Sequence, residues 1–203
     1  IINRGNVLKD LRSYKNALIS YEKALAIDSN NSAAHWNKAI THILLGEYEL
    51  GWKEYEWGWQ SGERGTPRKF SQSTWLGNES IFGKTLFLYR EQGLGDLIQF
   101  CRYIPLLEKL GAKIILEVPL SLFDLMKSLS PSVIVIEEGE LLPSFDLVCP
   151  IMSLALAFKT TIKNIPSSIP YLEAEKTKKI FWKKKLGKKI VPRIGIVWSG
   201  SLT

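Results

Sequence analysis

Glu91-Gln92-Gly93-Leu94-Gly95-Asp96-Leu97-Ile98-Gln99-Phe100 lies between a short apolar run, Thr85-Leu86-Phe87-Leu88-Tyr89, and an amphipathic segment at 99–110. A strand, a glycine-rich turn and a helix form the arrangement in which an α/β domain builds its ligand site. Gly93 and Gly95 are expected to let the backbone turn tightly and approach a ligand closely. Asp96 falls at the predicted helix start, where a carboxylate caps free N–H groups or acts on a substrate.

Downstream, the apolar runs 85–89, 113–118, 132–136 and 145–149 are short and β-branched or aromatic, which suits buried parallel strands. They alternate with helical stretches predicted at 96–110, 120–129 and 151–158. This βαβ succession predicts a doubly wound sheet with right-handed crossovers. Residues 164–172 are rich in proline and serine and read as a linker. A basic helix near 174–186 then leads to Arg193-Ile194-Gly195-Ile196-Val197-Trp198, which reads as the first strand of another α/β domain. Ser199, Gly200 and Ser201 follow, where a phosphate-binding turn belongs.

Upstream the pattern changes. Tyr14 and Tyr48 are 34 residues apart, as are Tyr21 and Tyr55, Ala17 and Gly51, Ala24 and Gly58, and Gly5 and Ala39. Apolar residues between these anchors recur at helical spacing, as in Ala17, Leu18, Tyr21, Ala24 and Leu25. Asp28-Ser29-Asn30-Asn31-Ser32 breaks the first copy and is expected to cap the next helix. Each copy reads as two antiparallel helices, with small residues at the crossing and tyrosines filling the gaps. His35 and His42 share a helix face without a third ligand nearby, so packing is the expected role. The run Trp52, Tyr55, Trp57, Trp59 reads as a packed helix end. Residues 61–84 carry Gly62, Gly65, Pro67, Gly77 and Gly83 and read as a linker, anchored by Trp75-Leu76-Gly77.

Composition sets outer bounds. Hydrophobic content is 45% and charged content 23%, as in an ordinary globular protein, and 203 residues hold one large domain or two small ones. No apolar run approaches the roughly 20 residues that span a bilayer, and no signal-peptide pattern opens the chain, so a cytoplasmic protein is expected. Cys101 and Cys149 sit in apolar surroundings and read as buried reduced thiols. The +7 net charge is local: nine basic and no acidic residues lie between Lys176 and Arg193. That tract reads as a solvated helix face or as a contact for phosphates or an anionic membrane surface. The chain begins at Ile1 rather than Met and stops just after an apparent strand, so a piece of a longer protein is expected.

Three readings of the central turn follow from its residues. In a Gly-x-Gly-x-x-Gly dinucleotide site Gly93 and Gly95 fit, and Glu117, 22 residues beyond Gly95, stands where a ribose-binding acid is expected. Ile98 replaces the third glycine, however, and Asp96 would set a negative charge beside the pyrophosphate. In the second reading Asp96 is a helix cap and nothing more.

The third reading uses a resemblance. Gly5, Tyr14, Ala17, Tyr21, Ala24 and Ile27-Asp28 resemble the tetratricopeptide repeat, with about two copies in residues 1–60. The second copy departs at Gly51 and Gly58, where alanine is usual, and Ser29 stands where proline is common. The stretch Glu91 to Tyr103 resembles the segment that opens the catalytic part of bacterial tetratricopeptide-repeat glycosyltransferases. It is also similar to the Gly-Asp turn of the lipopolysaccharide heptosyltransferases. Trp75-x-Gly77, Gly83-Lys84, Phe145-Asp146, Pro150-Ile151-Met152-Ser153-Leu154, Ile169-Pro170-Tyr171-Leu172 and Gly195-Ile196-Val197-Trp198-Ser199-Gly200 extend the resemblance over nearly the whole chain.

The resemblance implies helical repeats followed by a Rossmann-like lobe at 85–172, the N-terminal half of a two-lobed GT-B type glycosyltransferase. Residues 173–203 then begin the nucleotide-sugar lobe. It implies a nucleotide-sugar donor, with no cofactor and no metal, and a protein, glycan or lipid-linked hydroxyl acceptor. The repeats would dock that acceptor or a protein partner. No nucleic-acid partner and at most a peripheral membrane contact are expected. Asp96 would be the general base, which takes the acceptor proton as its oxygen attacks the anomeric carbon. Gln92, Gly93, Gly95, Gln99 and Arg102 would contact acceptor or diphosphate, with Arg102 alternatively a structural ion pair. Ser199, Gly200 and Ser201 would meet the donor phosphate. The competing reading is a non-catalytic interaction scaffold with a degenerate α/β lobe.

Overall fold

The computed structural model describes residues 1–188 and 190–196. Its first part is helical: α1 (Ile2–Asp10), α2 (Tyr14–Ile27), α3 (Ser32–Leu44), α4 (Tyr48–Tyr55) and the single turn α5 (Gly58–Ser61). The 34-residue spacing coincides with the hairpins, since Tyr14 and Tyr48 open α2 and α4 while Gly5 and Ala39 lie on α1 and α3. Asn31 caps α3, its Oδ1 accepting from the Ala34 N–H at 3.0 Å. The second hairpin departs from the expected pair of continuous helices. Its chain breaks at Glu56–Trp57, which sends the Trp57 ring onto His35 at 3.9 Å between centroids and turns Glu56 toward Arg64. The small residues have a steric reason: a Cβ on Gly51 would lie 2.6 Å from Ile43 Cγ1, and one on Gly58 2.6 Å from the Trp36 ring. Both histidines are structural, with His35 Nδ1 against Glu54 and His42 Nδ1 2.6 Å from Glu47 Oε2.

The second part is α/β. Strands β1 (Thr85–Tyr89), β2 (Lys113–Val118), β3 (Val133–Glu137) and β4 (Leu147–Pro150) form one parallel sheet in the order β3-β2-β1-β4. Between them run α6 (Leu94–Phe100), a 3-10 turn at Cys101–Tyr103, α7 (Ile104–Lys109) and α8 (Leu120–Met126). After β4 come a 3-10 turn at Ile151–Ser153 and α9 (Leu154–Ala157). Alternation along the strands divides the sheet into two faces. Leu86, Leu88, Ile114, Leu116, Leu147 and Cys149 point into one core with Leu97, Phe100, Ile104, Leu107 and Met126 of the helical layer. Ala39 and Tyr55 of the hairpins belong to that same core. Cys101 and Cys149 are buried free thiols, and burial pushes the Cys101 thiol up to about 12.

The opposite face differs from the doubly wound expectation. Phe87, Tyr89, Ile115, Ile136 and Val148 are covered by Phe70 of the linker and by Leu142 and Phe145. The connection from β3 to β4 is too short, at residues 138–146, to include a crossover helix. Arg68 lies over the Phe70, Phe87 and Tyr89 rings and pairs with the buried Glu117. Burial pushes the Tyr89 hydroxyl up to about 12.

The predicted strand at 193–198 is also corrected over its described part. Residues 193–196 adopt no regular structure, and Ile194 and Ile196 are exposed. Among the described residues no strand lies alongside to pair with them, and an isolated strand is not stable in water. The basic helix α10 (Lys176–Leu186) forms as expected but has no buried residue. No helix among the described residues is long and apolar enough to cross a membrane.

The linker is anchored where Trp75 and Gly77 were expected to hold it. Trp75 is buried, its Nε1 donates to the Glu79 carbonyl at 3.0 Å, and its backbone N–H donates to the Val148 carbonyl at 2.8 Å. Gly77 has φ +85°, and a Cβ there would stand 2.2 Å from the Ala157 carbonyl oxygen. Gly77→Ala should therefore cost on the order of 3 kcal/mol, from left-handed strain of about 1–2 kcal/mol and overpacking of about 1–3 kcal/mol. Urea unfolding of that variant beside Gly95→Ala, whose Cβ would meet nothing within 4 Å, separates the two glycines. An unchanged midpoint for Gly77→Ala contradicts the steric account.

Candidate functional site

Strand order reverses between β1 and β4, because the chain leaves β1 for β2 and β3 on one side and returns to β4 on the other. Ligands of open parallel sheets bind outside the carboxyl ends of the strands at that point. The turn after β1 carries Glu91 to Asp96, and the turn after β4 carries Ile151 to Ser153.

Arg64 of the linker ties these turns together, although its own sequence context gives no hint of it. Its guanidinium is fully buried. Nη1 donates to Glu56 Oε1 at 2.8 Å, and Nη2 donates to Glu91 Oε1 at 2.7 Å and to Ser153 Oγ at 2.9 Å. Ser153 Oγ donates in turn to Glu56 Oε1 at 2.7 Å, and the Met152 N–H donates to Glu91 Oε1 at 3.3 Å. The cation also lies over the Tyr55 and Trp59 rings, 4.9 and 4.2 Å from their centroids. Burial alone would lower the Arg64 guanidinium, but Glu56 and Glu91 reverse this and hold it above its usual value. Burial also pushes the Glu91 carboxyl above its usual range, against the pull of Arg64.

Beside this network a cavity of about 220 Å³ opens between the second hairpin and α6. The hairpin contributes Ile43, Tyr48 and Trp52. The α/β part contributes Asp96, Gln99 and Arg102 with Phe100, Tyr103 and Met152. Thus three of the predicted site residues meet in one place. Asp96 sits at the third helical position rather than the cap itself. Gly93 is the cap, and its N–H donates to Asp96 Oδ2 at 2.9 Å. Oδ1 has no hydrogen-bond partner among the described residues, and neither has the exposed side chain of Gln99.

Arg102 has no carboxylate partner among the described residues, so the ion-pair alternative does not hold there. Its Nη1 donates to the Pro166 carbonyl at 3.3 Å and its Nη2 to the Tyr171 hydroxyl at 3.4 Å, which fastens segment 164–172 beside the cavity. Gln92 points elsewhere, donating to the Glu63 carbonyl at 3.3 Å. Neither central glycine is demanded by the turn. Gly93 has φ −67°, open to any residue, and Gly95 lies inside α6 with free space around it. Their effect is to leave the surface beside Asp96 bare. Ser199, Gly200 and Ser201 lie outside the described residues. Glu117, the ribose-binding acid of the dinucleotide reading, is buried in its pair with Arg68, and Ile98 packs into the core. Among the described residues no group of three His, Cys, Asp or Glu could hold a metal ion.

Arg64→Met should cost about 3–5 kcal/mol at neutral pH, because it strands the buried Glu91 carboxylate and removes the partner of the half-buried Glu56. Without Arg64 the folded-state pKa of Glu91 rises further above its unfolded value. The native state then binds a proton that the unfolded chain releases, so the deficit should shrink as pH falls toward about 4.3. Urea unfolding at pH 7 and pH 5 reads this directly, and an equal loss at both values overturns the assignment. No family model, curated protein or solved structure matches this chain.

Proposed function

We propose that the chain belongs to a glycosyltransferase, with tetratricopeptide repeats N-terminal to a two-lobed GT-B type catalytic unit. The reaction moves a sugar from a nucleotide-sugar donor to a hydroxyl acceptor. The repeats dock that acceptor or a protein partner. The observation that carries this reading is the meeting of Asp96, Gln99 and Arg102 in one cavity at the reversal point of a parallel sheet.

The chemistry is that of a displacement at the anomeric carbon. Asp96 Oδ1 takes the acceptor hydroxyl proton as the acceptor oxygen bonds to the anomeric carbon. The bond from that carbon to the diphosphate oxygen breaks, and its electron pair leaves with the nucleoside diphosphate. Oδ2, held by the Gly93 N–H, fixes the carboxylate during transfer. The scaffold reading draws on the same observation from the other side: Asp96 caps α6 and Arg102 holds segment 164–172, which are both uses without chemistry.

Asp96→Asn in the complete protein separates them. Asparagine keeps an oxygen for the Gly93 N–H, so folding and thermal midpoint should stay near wild type. Sugar transfer should fall about 10²–10⁴-fold, the usual contribution of a general base. Turnover within a factor of two of wild type would sink Asp96 as the base.

A further inference from the structure

The cavity beside Asp96 has two walls from two different parts of the chain. The α/β part contributes the polar groups Asp96, Gln99 and Arg102 together with Phe100, Tyr103 and Met152. The second hairpin contributes Tyr48 and Trp52 of α4. We infer that the second hairpin is part of the acceptor subsite itself, with Tyr48 and Trp52 contacting the same group whose hydroxyl meets Asp96. This rests on the acceptor reading of Asp96 given above.

Size and lining decide what the subsite takes. About 220 Å³ is below the roughly 300–1,000 Å³ of pockets for drug-sized ligands, so one ring-sized unit fits and an extended segment does not. An aromatic lining beside hydrogen-bonding groups suits a ligand with one C–H face and a rim of hydroxyls. A monosaccharide ring has that character. A serine or threonine side chain of a peptide offers one hydroxyl and no ring face for the aromatic residues.

The two aromatic residues differ in what else they do. Trp52 packs edge-on against Phe100 and Tyr55, with centroids 5.8 and 5.3 Å apart, so it also holds the hairpin onto α6. Its Nε1 is buried without a hydrogen-bond partner among the described residues. Tyr48 is half-buried in the first turn of α4, with its ring 6.4 Å from that of Trp52 and no side-chain hydrogen bond among the described residues. Tyr48 can therefore be altered without dismantling the junction. It is the specificity-determining position, and Trp52 is both wall and support.

The experiment titrates the ¹⁵N-labelled chain with methyl α-glucoside, methyl α-galactoside and methyl glucuronide. The readout is the indole N–H resonance that Trp52→Phe removes. At least one glycoside should shift that resonance, while a Ser/Thr tetrapeptide should not. Tyr48→Ala should weaken the glycoside about ten-fold, the loss of one aromatic contact of roughly 1.4 kcal/mol, and Tyr48→Phe should restore it. Thermal midpoints of both variants should match wild type.

The inference is overturned if no glycoside shifts the resonance up to about ten times a millimolar dissociation constant. It is equally overturned if Tyr48→Ala titrates as wild type does, or if the peptide shifts the resonance instead. Its failure is distinguishable from failure of Asp96 as the base. Loss of transfer in Asp96→Asn with unaltered glycoside binding in Tyr48→Ala removes the hairpin from the subsite alone. A Tyr48-dependent glycoside shift with full transfer in Asp96→Asn removes the base alone.

Discussion

A guanidinium with no exposed surface must be neutralised by groups that cannot move away, and Arg64 meets this condition with partners from three segments. Glu56 follows α4, Glu91 follows β1 and Ser153 follows β4. Desolvating a cation of this kind is expensive unless its hydrogen bonds are made in good geometry. That requirement fixes the linker, the end of the hairpin and the two turns at the sheet reversal relative to one another. Oppositely charged partners alone would permit several arrangements. The 2.7 Å contact from Ser153 to Glu56 closes the network into a ring and leaves fewer. Arg64 Nε and Glu91 Oε2 have no partner among the described residues, so the network is held there with part of its hydrogen-bonding capacity unmet.

The cavity depends on that constraint. Helices cover one face of the sheet, and the hairpins pack on this helical layer rather than on the strands. Tyr55, Trp52 and Phe100 make the junction aromatic. Flat rings crossing at steep angles cannot fill the wedge between α4 and α6 completely. What they leave is bordered by the polar side chains of the turn after β1. The other sheet face does not take part, since Phe70, Leu142 and Phe145 close it with extended chain.

What was legible in the sequence was local. The short apolar runs place β1 and β2 at their bounds and β3 and β4 within one or two residues, because a parallel strand buried on both faces is apolar along its own length. The 34-residue spacing located the hairpins in the same local way, through contacts such as Gly5 on the Tyr21 ring. Asn31, Trp75 and Gly77 were readable as a cap and an anchor. The Arg64 network was not, because two of its three partners lie 27 and 89 residues away and arginine in a glycine-rich linker resembles any solvated cation. Arg68 and Glu117, 49 residues apart, were hidden in the same way. The doubly wound expectation fails on the second face because a strand pattern says nothing about what covers that face, here Phe70, Leu142 and Phe145. Gly93 and Gly95 were read as backbone necessities, and their dihedral angles and surroundings remove that reason.

The capping role of Asp96 and the base role proposed for it need not compete. A free carboxylate at the surface rotates and loses entropy when it must engage one proton in one direction. The Gly93 N–H takes one oxygen at 2.9 Å and holds the carboxylate plane, while the second oxygen stays without a partner among the described residues. The cap is thus the device that would orient the base. Replacing Gly93 by a residue with a side chain would bring a Cβ to 3.3 Å from the bonded oxygen. The cavity has Asp96 and Gln99 of α6 and Arg102 of the following turn as its polar groups, and rings from both parts, Tyr48 and Trp52 of α4 with Phe100 and Tyr103, as its apolar lining. The proposed acceptor ring would enter with a hydroxyl toward Asp96 and an apolar face toward Tyr48 and Trp52.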